Sequence, residues 1–201
     1  MPVKVTRNQL APHLDALTAR EGTNPTADPR VNAYRVSLTV PPTPTVYAAS
    51  VLIVGQGAKR GHLGGVIYEY DASHCLLVTS PLPMLCEIEV RGPPVLTVGI
   101  DIDLGVLTEL VSTLDPPTRK RGAEEAVERG IHVVPLTAAV EEAMVRLLRQ
   151  LREPETARVL APATLREVYY QLLRTPAGSS LRALVSHDGP TPQLDRVMRH
   201  M

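Results

Sequence analysis

The spacing of hydrophobic positions changes along the chain and predicts three kinds of segment. In residues 4–20, Leu10, Leu14 and Leu17 recur every three to four positions with charges between them, which predicts an amphipathic helix. From Val31 to about Asp103, short runs alternate in polarity or are continuously apolar, which predicts six or seven strands. No long helical pattern interrupts these runs, so a sandwich or barrel is favoured over a parallel sheet.

Proline and glycine mark the turns of this β region. The segment PPTPT, residues 41–45, cannot continue a central strand because proline lacks the backbone donor of the ladder. The run VYAASVLIVGQG, residues 46–57, is almost wholly apolar and stops at glycines, so we expect a strand there. The Gly64–Gly65 pair predicts a hairpin turn.

The spacing becomes helical from Leu104 onward. Asp103 is a favourable N-cap for a helix that stops before two prolines. Two longer helices are predicted over residues 137–152 and 162–174, the second starting at Pro162, a residue suited to a first helical turn. Residues 178–189 predict a shorter helix, and residues 191–201 begin an amphipathic pattern that the chain does not complete.

Composition and charge narrow the possible functions. The 201 residues, 44% of them hydrophobic, can bury a real core, which must rely on aliphatic side chains and six tyrosines because Trp and Phe are absent. A formal net charge of zero disfavours nucleic-acid binding by these residues alone. Two cysteines do not make a disulfide framework, and no signal peptide or membrane-spanning run is visible. We therefore expect a cytoplasmic protein without a membrane partner.

The possible metal ligands are poorly spaced for a metal site. They are His62, His74, Cys75, Cys86 and His132. Only His74 and Cys75 are close in sequence, and adjacent residues of a strand point to opposite faces. The simpler interpretation is that Cys75 fills the core and His74 caps a turn. The sequence therefore predicts no metal and no cofactor.

Motifs of catalysis are also missing. The chain has no G-x-S-x-G elbow, no G-x-G-x-x-G turn and no phosphate-binding loop. Asp101 and Asp103 are paired carboxylates in sequence, but they are more simply outward residues of the last strand, with Asp103 also capping the next helix. The sequence therefore predicts no enzyme.

Two alternatives stay open from the pattern alone. Gln56 and Lys59 lie at the end of a very apolar strand, where they suit either the mouth of a ligand-binding barrel or a turn that faces water. The apolar stripes of the two long helices either face the domain's own core or leave part free for a symmetric dimer. Tyr169 and Tyr170 are adjacent, so we expect only one of them to serve the core.

Gapped segments resemble a known family over most of the chain. YRVSLTVPPTPTVYAASVLIVGQGAKR, residues 34–60, and YEYDASHCLLVTSPLPM, residues 68–84, resemble the N-terminal domain of a bacterial subgroup of AraC-type transcription regulators. LAPATLREVYYQLLRTPAGSSLRAL, residues 160–184, resembles that family's helical region. The resemblance runs from about residue 30 to the end.

The resemblance implies an α+β fold in three parts. Residues 1–29 would form an N-terminal helix and arm, and residues 30–103 a cupin-like β-barrel or jelly roll. Residues 104–201 would form a helical dimerisation region that ends at the start of a linker to a missing helix-turn-helix domain. DNA would be bound only through that missing domain.

The resemblance also implies a function: sensing an unknown small-molecule effector in the barrel of a homodimer. The candidate ligand-binding residues are Arg35, Tyr47, Gln56, Lys59, Tyr68 and His74. The candidate dimer residues are Met144, Leu148, Leu151, Tyr169 and Leu172. The alternative is a cupin-like, metal-dependent enzyme that acts on a small metabolite, but the chain lacks the His-x-His segment of metal-binding cupins.

Overall fold

The computed structural model describes residues 8–115 and 130–185, which form an α+β fold of helices and two antiparallel sheets. The fold class predicted from the sequence is confirmed. The helices are α1 (Ala11–Leu17), α2 (Leu104–Leu114), α3 (Ala138–Gln150), α4 (Pro154–Leu173) and α5 (Gly178–Val185). The strands are β1 (Gly22–Pro25), β2 (Val31–Val36), β3 (Val40–Tyr47), β4 (Ser50–Gln56), β5 (Ala58–Leu63), β6 (Val66–Asp71), β7 (His74–Val78), β8 (Leu82–Ile88), β9 (Val95–Asp101) and β10 (Ile131–Pro135).

The two sheets and the helices stack as three layers. The larger sheet has six strands in the order β1-β2-β9-β4-β7-β10, and the smaller has four in the order β3-β8-β5-β6. One face of the larger sheet packs on the smaller sheet, and the opposite face packs on the helices. The larger sheet is therefore the middle layer.

Each interface of the middle layer has its own apolar core. The inter-sheet core contains Tyr47, Leu52, Val54, Tyr70, Leu76, Val78, Met84, Cys86, Ile88, Val95 and Ile131. The helix-side core includes Val31, Ala33, Val51, Ile53, Cys75, Leu77, Leu96, Val98 and Ile100 of the sheet and Leu14, Leu107, Met144, Leu148, Leu165, Tyr169 and Leu172 of the helices. Every residue of β4 is buried, because this central strand is covered on both faces. That coverage explains why its sequence is continuously apolar rather than alternating.

The proline-rich segment is a strand, but at the margin of a sheet. β3 contains Pro41, Pro42 and Pro44 and pairs with β8 alone, at the edge of the smaller sheet. Its register shifts between Val40 and Thr43. The prediction that this segment cannot be a central strand is confirmed, since an edge strand needs fewer backbone donors.

Short edge strands were missed by the sequence pattern. β1 lies where Gly, Asn and Pro suggested only a break, and β10 lies in a region whose spacing is otherwise helical. Both are edge strands of the larger sheet, paired with β2 and β7 respectively. Eight strands, β2 to β9, lie between residues 31 and 103, against six or seven expected. The division into parts at residues 29 and 103 stays a prediction.

The predicted N-cap of α2 is confirmed, but one predicted helix start is wrong. The Asp103 carboxylate accepts from the Val106 N–H at 3.1 Å and starts α2, as expected. The prediction that a helix begins at Pro162 is wrong, because α4 begins at Pro154 and continues through Pro162. Pro162 lies on the solvent side of α4, where its ring and the missing hydrogen bond are tolerated. The buried stripe extends N-terminally through alanines, which a search for large apolar residues overlooks.

Some predictions fall on residues that the structure does not describe. They are the start of the first helix before residue 8, the two prolines after α2, the end of the fifth helix at Gly189 and the amphipathic pattern in residues 191–201.

One tyrosine fastens the helical layer to the middle sheet. The Tyr169 hydroxyl of α4 donates to the Asp101 carbonyl at 2.8 Å and accepts from the Asp103 N–H at 3.2 Å. Tyr169 is fully buried, so both bonds are protected from water. They join α4 to the end of β9 and to the N-cap of α2. Arg30 adds an ion pair to Asp103 at 3.0 Å from the neighbouring loop.

A single glycine lets the chain pass from one sheet to the other. Gly57 separates β4 of the larger sheet from β5 of the smaller sheet and has a φ of 89°. A Cβ at this position would lie 2.7 Å from Val95 Cγ2. Gly57 is therefore required both for its backbone conformation and for the space beside β9.

We expect Gly57→Ala to lower the free energy of unfolding by about 2–4 kcal/mol, because backbone strain adds to overlap with Val95. Gly64→Ala is the matched control, since Gly64 also has a positive φ, 56°, but a Cβ there meets no atom within 4 Å. The control should lose about 1 kcal/mol in urea denaturation. Equal losses in the two variants would contradict the steric role of Gly57.

Candidate functional site

Polar side chains converge inside the sandwich, between the two sheets. This inter-sheet polar cluster consists of Tyr34, Tyr47, Lys59, Tyr70 and Cys86. Lys59 on β5 is the cross-strand partner of Tyr70 on β6, and Gly61 on β5 is the partner of Cys86 on β8. Because side chains two residues apart share a face, Lys59, Tyr70 and Cys86 all point toward the larger sheet.

Tyr70 is the most enclosed member of the cluster. Its side chain is 0% exposed, and its hydroxyl has no hydrogen-bond partner among the described residues. Burial raises the pKa of Tyr70, while the nearby Lys59 ammonium acts in the opposite direction. Lys59 and Tyr47 lie beside the hydroxyl, but neither forms a hydrogen bond of standard geometry with it. A buried hydroxyl without a partner costs about 1–3 kcal/mol, so Tyr70 lowers the stability of the fold.

Lys59 places a positive charge in the same space. The residue is half-buried, and its position opposite Tyr70 directs its side chain between the sheets. Burial acts to lower the pKa of Lys59, and Tyr70, Cys86 and Tyr34 act to raise it, with a net increase. Within the described part of the chain, no carboxylate lies at ion-pair distance from Lys59.

The remaining members come from both sheets. Burial strongly raises the pKa of Tyr47, and Tyr70 and Cys86 beside it add to the increase. Tyr34 belongs to β2 of the larger sheet. Burial raises its pKa, Asp101 raises it further, and Lys59 lowers it. Lys59 is therefore within electrostatic reach of side chains on both walls of the sandwich.

The structure brings some of the predicted ligand-binding residues together. Tyr47 and Lys59 belong to the inter-sheet polar cluster, and Tyr68 packs at the edge of the inter-sheet core. Gln56 is buried near them, but its amide donates to the Pro94 carbonyl at 2.8 Å and so holds a neighbouring loop.

Two predicted ligand-binding residues lie elsewhere. The Arg35 guanidinium lies on the helix side of the larger sheet, where it pairs with Asp15 at 2.8 Å and contacts the Thr18 carbonyl. His74 Nδ1 lies 2.8 Å from an Asp71 carboxylate oxygen at the β6–β7 turn. The predicted turn-capping role of His74 matches this contact.

Three members of the cluster were missed by the sequence analysis. Tyr70 could have been predicted from the sequence, because it lies two residues after Tyr68 on a strand and therefore points to the same face. Tyr34 and Cys86 could not, since they reach the cluster only through the packing of separate strands.

The predicted dimer residues lie inside the chain's own core. Met144, Leu148, Leu151, Tyr169 and Leu172 are each between 0% and 3% exposed. All belong to the helix-side core. Tyr170 is half-buried, and the Arg174 guanidinium lies over its ring at 5.7 Å from the centroid. Tyr169 is therefore the fully buried member of the pair, whereas Tyr170 packs at the margin of the same core, so the expectation that only one of them serves the core holds only in part.

A groove of about 570 Å³ opens beside the inter-sheet core. It lies where β5 diverges from β8, after the last cross-strand pair of His62 with Leu85. Leu63 and Met84 line the groove and also contact the inter-sheet core. The other lining residues are Pro44, Thr45, Val46, His62, Gly64, Gly65, Pro83 and Leu85.

The histidines considered as metal ligands are dispersed. His62 lies on the smaller sheet, 2.7 Å from a Glu87 carboxylate oxygen, whereas His74 and His132 lie on the larger sheet. In residues 8–115 and 130–185, no three His, Cys, Asp or Glu side chains are grouped closely enough to hold a metal ion. In the same residues, no helix has the length and apolar character needed to cross a bilayer.

Two inaccessible tyrosines allow a matched test of the cluster. We expect Tyr70→Phe to leave the free energy of unfolding unchanged or raise it by up to about 1 kcal/mol, because its hydroxyl is buried without a partner. Tyr169→Phe should lower that free energy by about 1–3 kcal/mol, because it loses two buried hydrogen bonds. Urea denaturation measures both, and comparable losses would contradict the assignment of Tyr70.

Solved structures share this fold at low sequence identity. An apo variant of ToxT from Vibrio cholerae strain SCE256 is 8% identical with a TM-score of 0.54, and the match covers 87% of this chain and 62% of that one. A second structure of ToxT from Vibrio cholerae is 14% identical with a TM-score of 0.52, covering 82% and 60%. ToxT from Vibrio cholerae O395 is 13% identical with a TM-score of 0.52, covering 79% and 57%. This chain therefore spans about three fifths of the ToxT chains.

The family assignment comes from the sequence itself. No curated protein sequence matches the chain significantly. The family described as AraC-type transcriptional regulator N-terminus matches residues 27–180, which is most of the chain. The resemblance noted in the sequence is thus confirmed, and the chain belongs to the family of AraC-type transcriptional regulator N-termini.

Proposed function

We propose that this chain is the sensing part of an AraC-type transcription regulator and that it binds a small molecule between its two sheets. The observation that carries the proposal is the inter-sheet polar cluster, in which the Tyr70 hydroxyl is fully buried without a protein partner. Membership of a regulator family supports a sensing role over a catalytic one. A metal-dependent cupin-like enzyme has no ligand group to support it among the described residues.

A signal from this site has a short physical route to the helices. Tyr34, a wall of the cluster, lies on β2, which pairs with β9. The end of β9 is held to α4 by the Tyr169 hydroxyl. A ligand that moves Tyr34 would therefore change how α4 packs on the sheet. Regulation would follow if the ligand binds one of the two packing arrangements more tightly than the other.

Helix α4 is also our choice for the dimer contact. The residues predicted from the sequence are buried, so their surface is used within the chain. Val159 and Leu160 of α4 are 68% and 47% exposed, which makes them the large apolar side chains that this helix leaves in solvent. We propose a cytoplasmic homodimer that uses this face. DNA contact would come from a further helix-turn-helix domain, in keeping with the zero net charge of this chain.

A thermal-shift screen of bacterial metabolites tests the sensing role. At least one compound should raise the Tm by roughly 5 °C at about 100 times its Kd. The shift should shrink in Tyr70→Phe and persist in Arg91→Met, a control at an exposed ion pair outside the cluster. Failure of every compound to stabilise the wild-type chain would contradict the proposal.

Sedimentation equilibrium tests the dimer contact. We expect a wild-type dimer at micromolar concentration and a folded monomer for the double variant Val159→Asp, Leu160→Asp, because both side chains are exposed in the single chain and do not belong to its core. Leu148→Asp is the contrasting variant: its side chain is buried, so it should unfold the chain. A dimer that survives the double substitution would rule out this face.

A further inference from the structure

We propose that the outer face of the smaller sheet is a docking surface for a partner protein, which contributes an amphipathic helix with a basic end. The smaller sheet and the helices lie on opposite faces of the middle sheet. This surface is therefore separate both from the site between the sheets and from the dimer contact on α4. Three observations carry the inference: an exposed apolar patch, the groove within it and a charged row beside it.

The apolar patch lies on a face that usually carries polar side chains. Lys59, Tyr70 and Cys86 point toward the larger sheet, so the residues next to them on each strand point outward. The outward residues include an apolar set, here named the outer patch: Pro44, Val46 (74% exposed), Ile67 (59% exposed), Pro83 and Leu85 (40% exposed). No residue of the smaller sheet belongs to the helix-side core, so none of the described helices packs on this patch.

Cross-strand pairing joins the outer patch into one surface. Successive pairs form a row across all four strands, in the order Pro44, Leu85, His62 and Ile67. Val46 and Pro83 form a second row, about 7 Å further along the strands. Four strands span about 14 Å, which is the length of two to three turns of an α-helix.

The groove gives the outer patch its depth. Four patch residues line it: Pro44, Val46, Pro83 and Leu85. A helix about 14 Å long and 10 Å wide occupies roughly 1,100 Å³, whereas the groove holds about 570 Å³. The groove would therefore take one apolar face of a helix and leave the opposite face in solvent. An added strand is disfavoured, because strands join at sheet edges and the adjacent edge strand β3 contains three prolines without backbone donors.

A charged row borders the outer patch on one side. Arg60 pairs with Glu69 at 3.3 Å and with Glu87 at 3.4 Å, and this row lies about 7 Å from His62 along β5. Two carboxylates and one guanidinium leave the row with an excess of negative charge. The Glu69 side chain is 61% exposed, so it is open to a second cation. A helix in the groove would be favoured by lysine or arginine at the end that faces this row.

A second copy of this chain does not complement the outer face. If two copies were related by an axis along the strands, the Arg60 guanidiniums would face each other and Glu69 would face Glu87, which is a repulsive arrangement. If the axis ran across the strands, each charged row would lie beyond Val46 of the other copy, where the following alanines carry no charge. The charge pattern therefore favours a different protein as the occupant.

Fluorescence anisotropy with labelled helical peptides tests the docking surface on the 201-residue chain. Two designed peptides of about 15 residues carry leucines spaced three and four positions apart, with lysines at one end of the first and glutamates at the same end of the second. A third peptide has the composition of the basic one in scrambled order. At low ionic strength, the basic peptide should bind at least about fivefold more tightly than the acidic one and about tenfold more tightly than the scrambled one. The preference for the basic peptide over the acidic one should disappear in about 1 M salt.

Variants identify the residues that bind the peptide. The double variant Val46→Thr, Ile67→Thr should weaken both leucine-striped peptides by about tenfold, because threonine keeps a β-branched shape suited to a strand and removes apolar surface. Glu69→Gln should reduce the preference for the basic peptide and leave binding of the acidic one within about twofold. Leu104→Thr is the matched control, since Leu104 is 52% exposed on α2 and should not affect any peptide.

Each alternative outcome would overturn part of the proposal. Equal binding of the striped and scrambled peptides to the wild-type chain would show that the surface does not take an apolar helix. Binding that survives the double threonine substitution would place the peptide elsewhere, and a preference that survives Glu69→Gln would remove the role of the charged row. If the double variant dissociates a wild-type dimer in sedimentation, the occupant is a second copy and the partner proposal is wrong. The comparison of striped and scrambled peptides needs no variant, so it is decisive even if a variant does not fold.

Discussion

The fold depends on a middle sheet that is covered on both faces. A six-stranded layer between a second sheet and a set of helices has no solvent side, so most positions of its central strands are apolar. This constraint decides the role of the other elements. The helices must present their apolar stripes to the sheet, and residues that break a ladder, such as the prolines of β3, are confined to an edge.

Polar groups inside such a sandwich are few, and each has to be accounted for. Two tyrosines show the contrast. Tyr169 places its hydroxyl between a carbonyl and an N–H at the end of β9, and this satisfied pair joins the helical layer to the sheet. Tyr70 is equally inaccessible, yet its hydroxyl meets no partner of standard geometry and lies near the Lys59 ammonium group. The first arrangement is structural, and the second leaves a buried polar group unsatisfied, which is the basis of the binding site that we propose.

The comparison with ToxT fits this division. At identities of 8% to 14%, the fold is shared while few residues are identical. A three-layer fold needs only apolar residues at the right spacing, which many sequences supply. The specific groups between the sheets are free to differ, so the fold shared with ToxT does not indicate what this chain binds.

The sequence by itself determined the features that depend on neighbouring residues. The spacing of apolar residues predicted the fold class and most of the helices and strands. Asp103 predicted the start of a helix, and the Gly64–Gly65 pair predicted a hairpin turn. Only the tertiary structure decided which faces meet. Arg35 lies on the helix side of its strand, whereas its neighbour Tyr34 enters the polar cluster, because successive side chains of a strand point in opposite directions. The partner of the helical apolar stripes was also undecided, because an apolar face has the same sequence pattern whether it packs on the chain's own sheet or on a second copy. The structure shows that these stripes pack on the middle sheet.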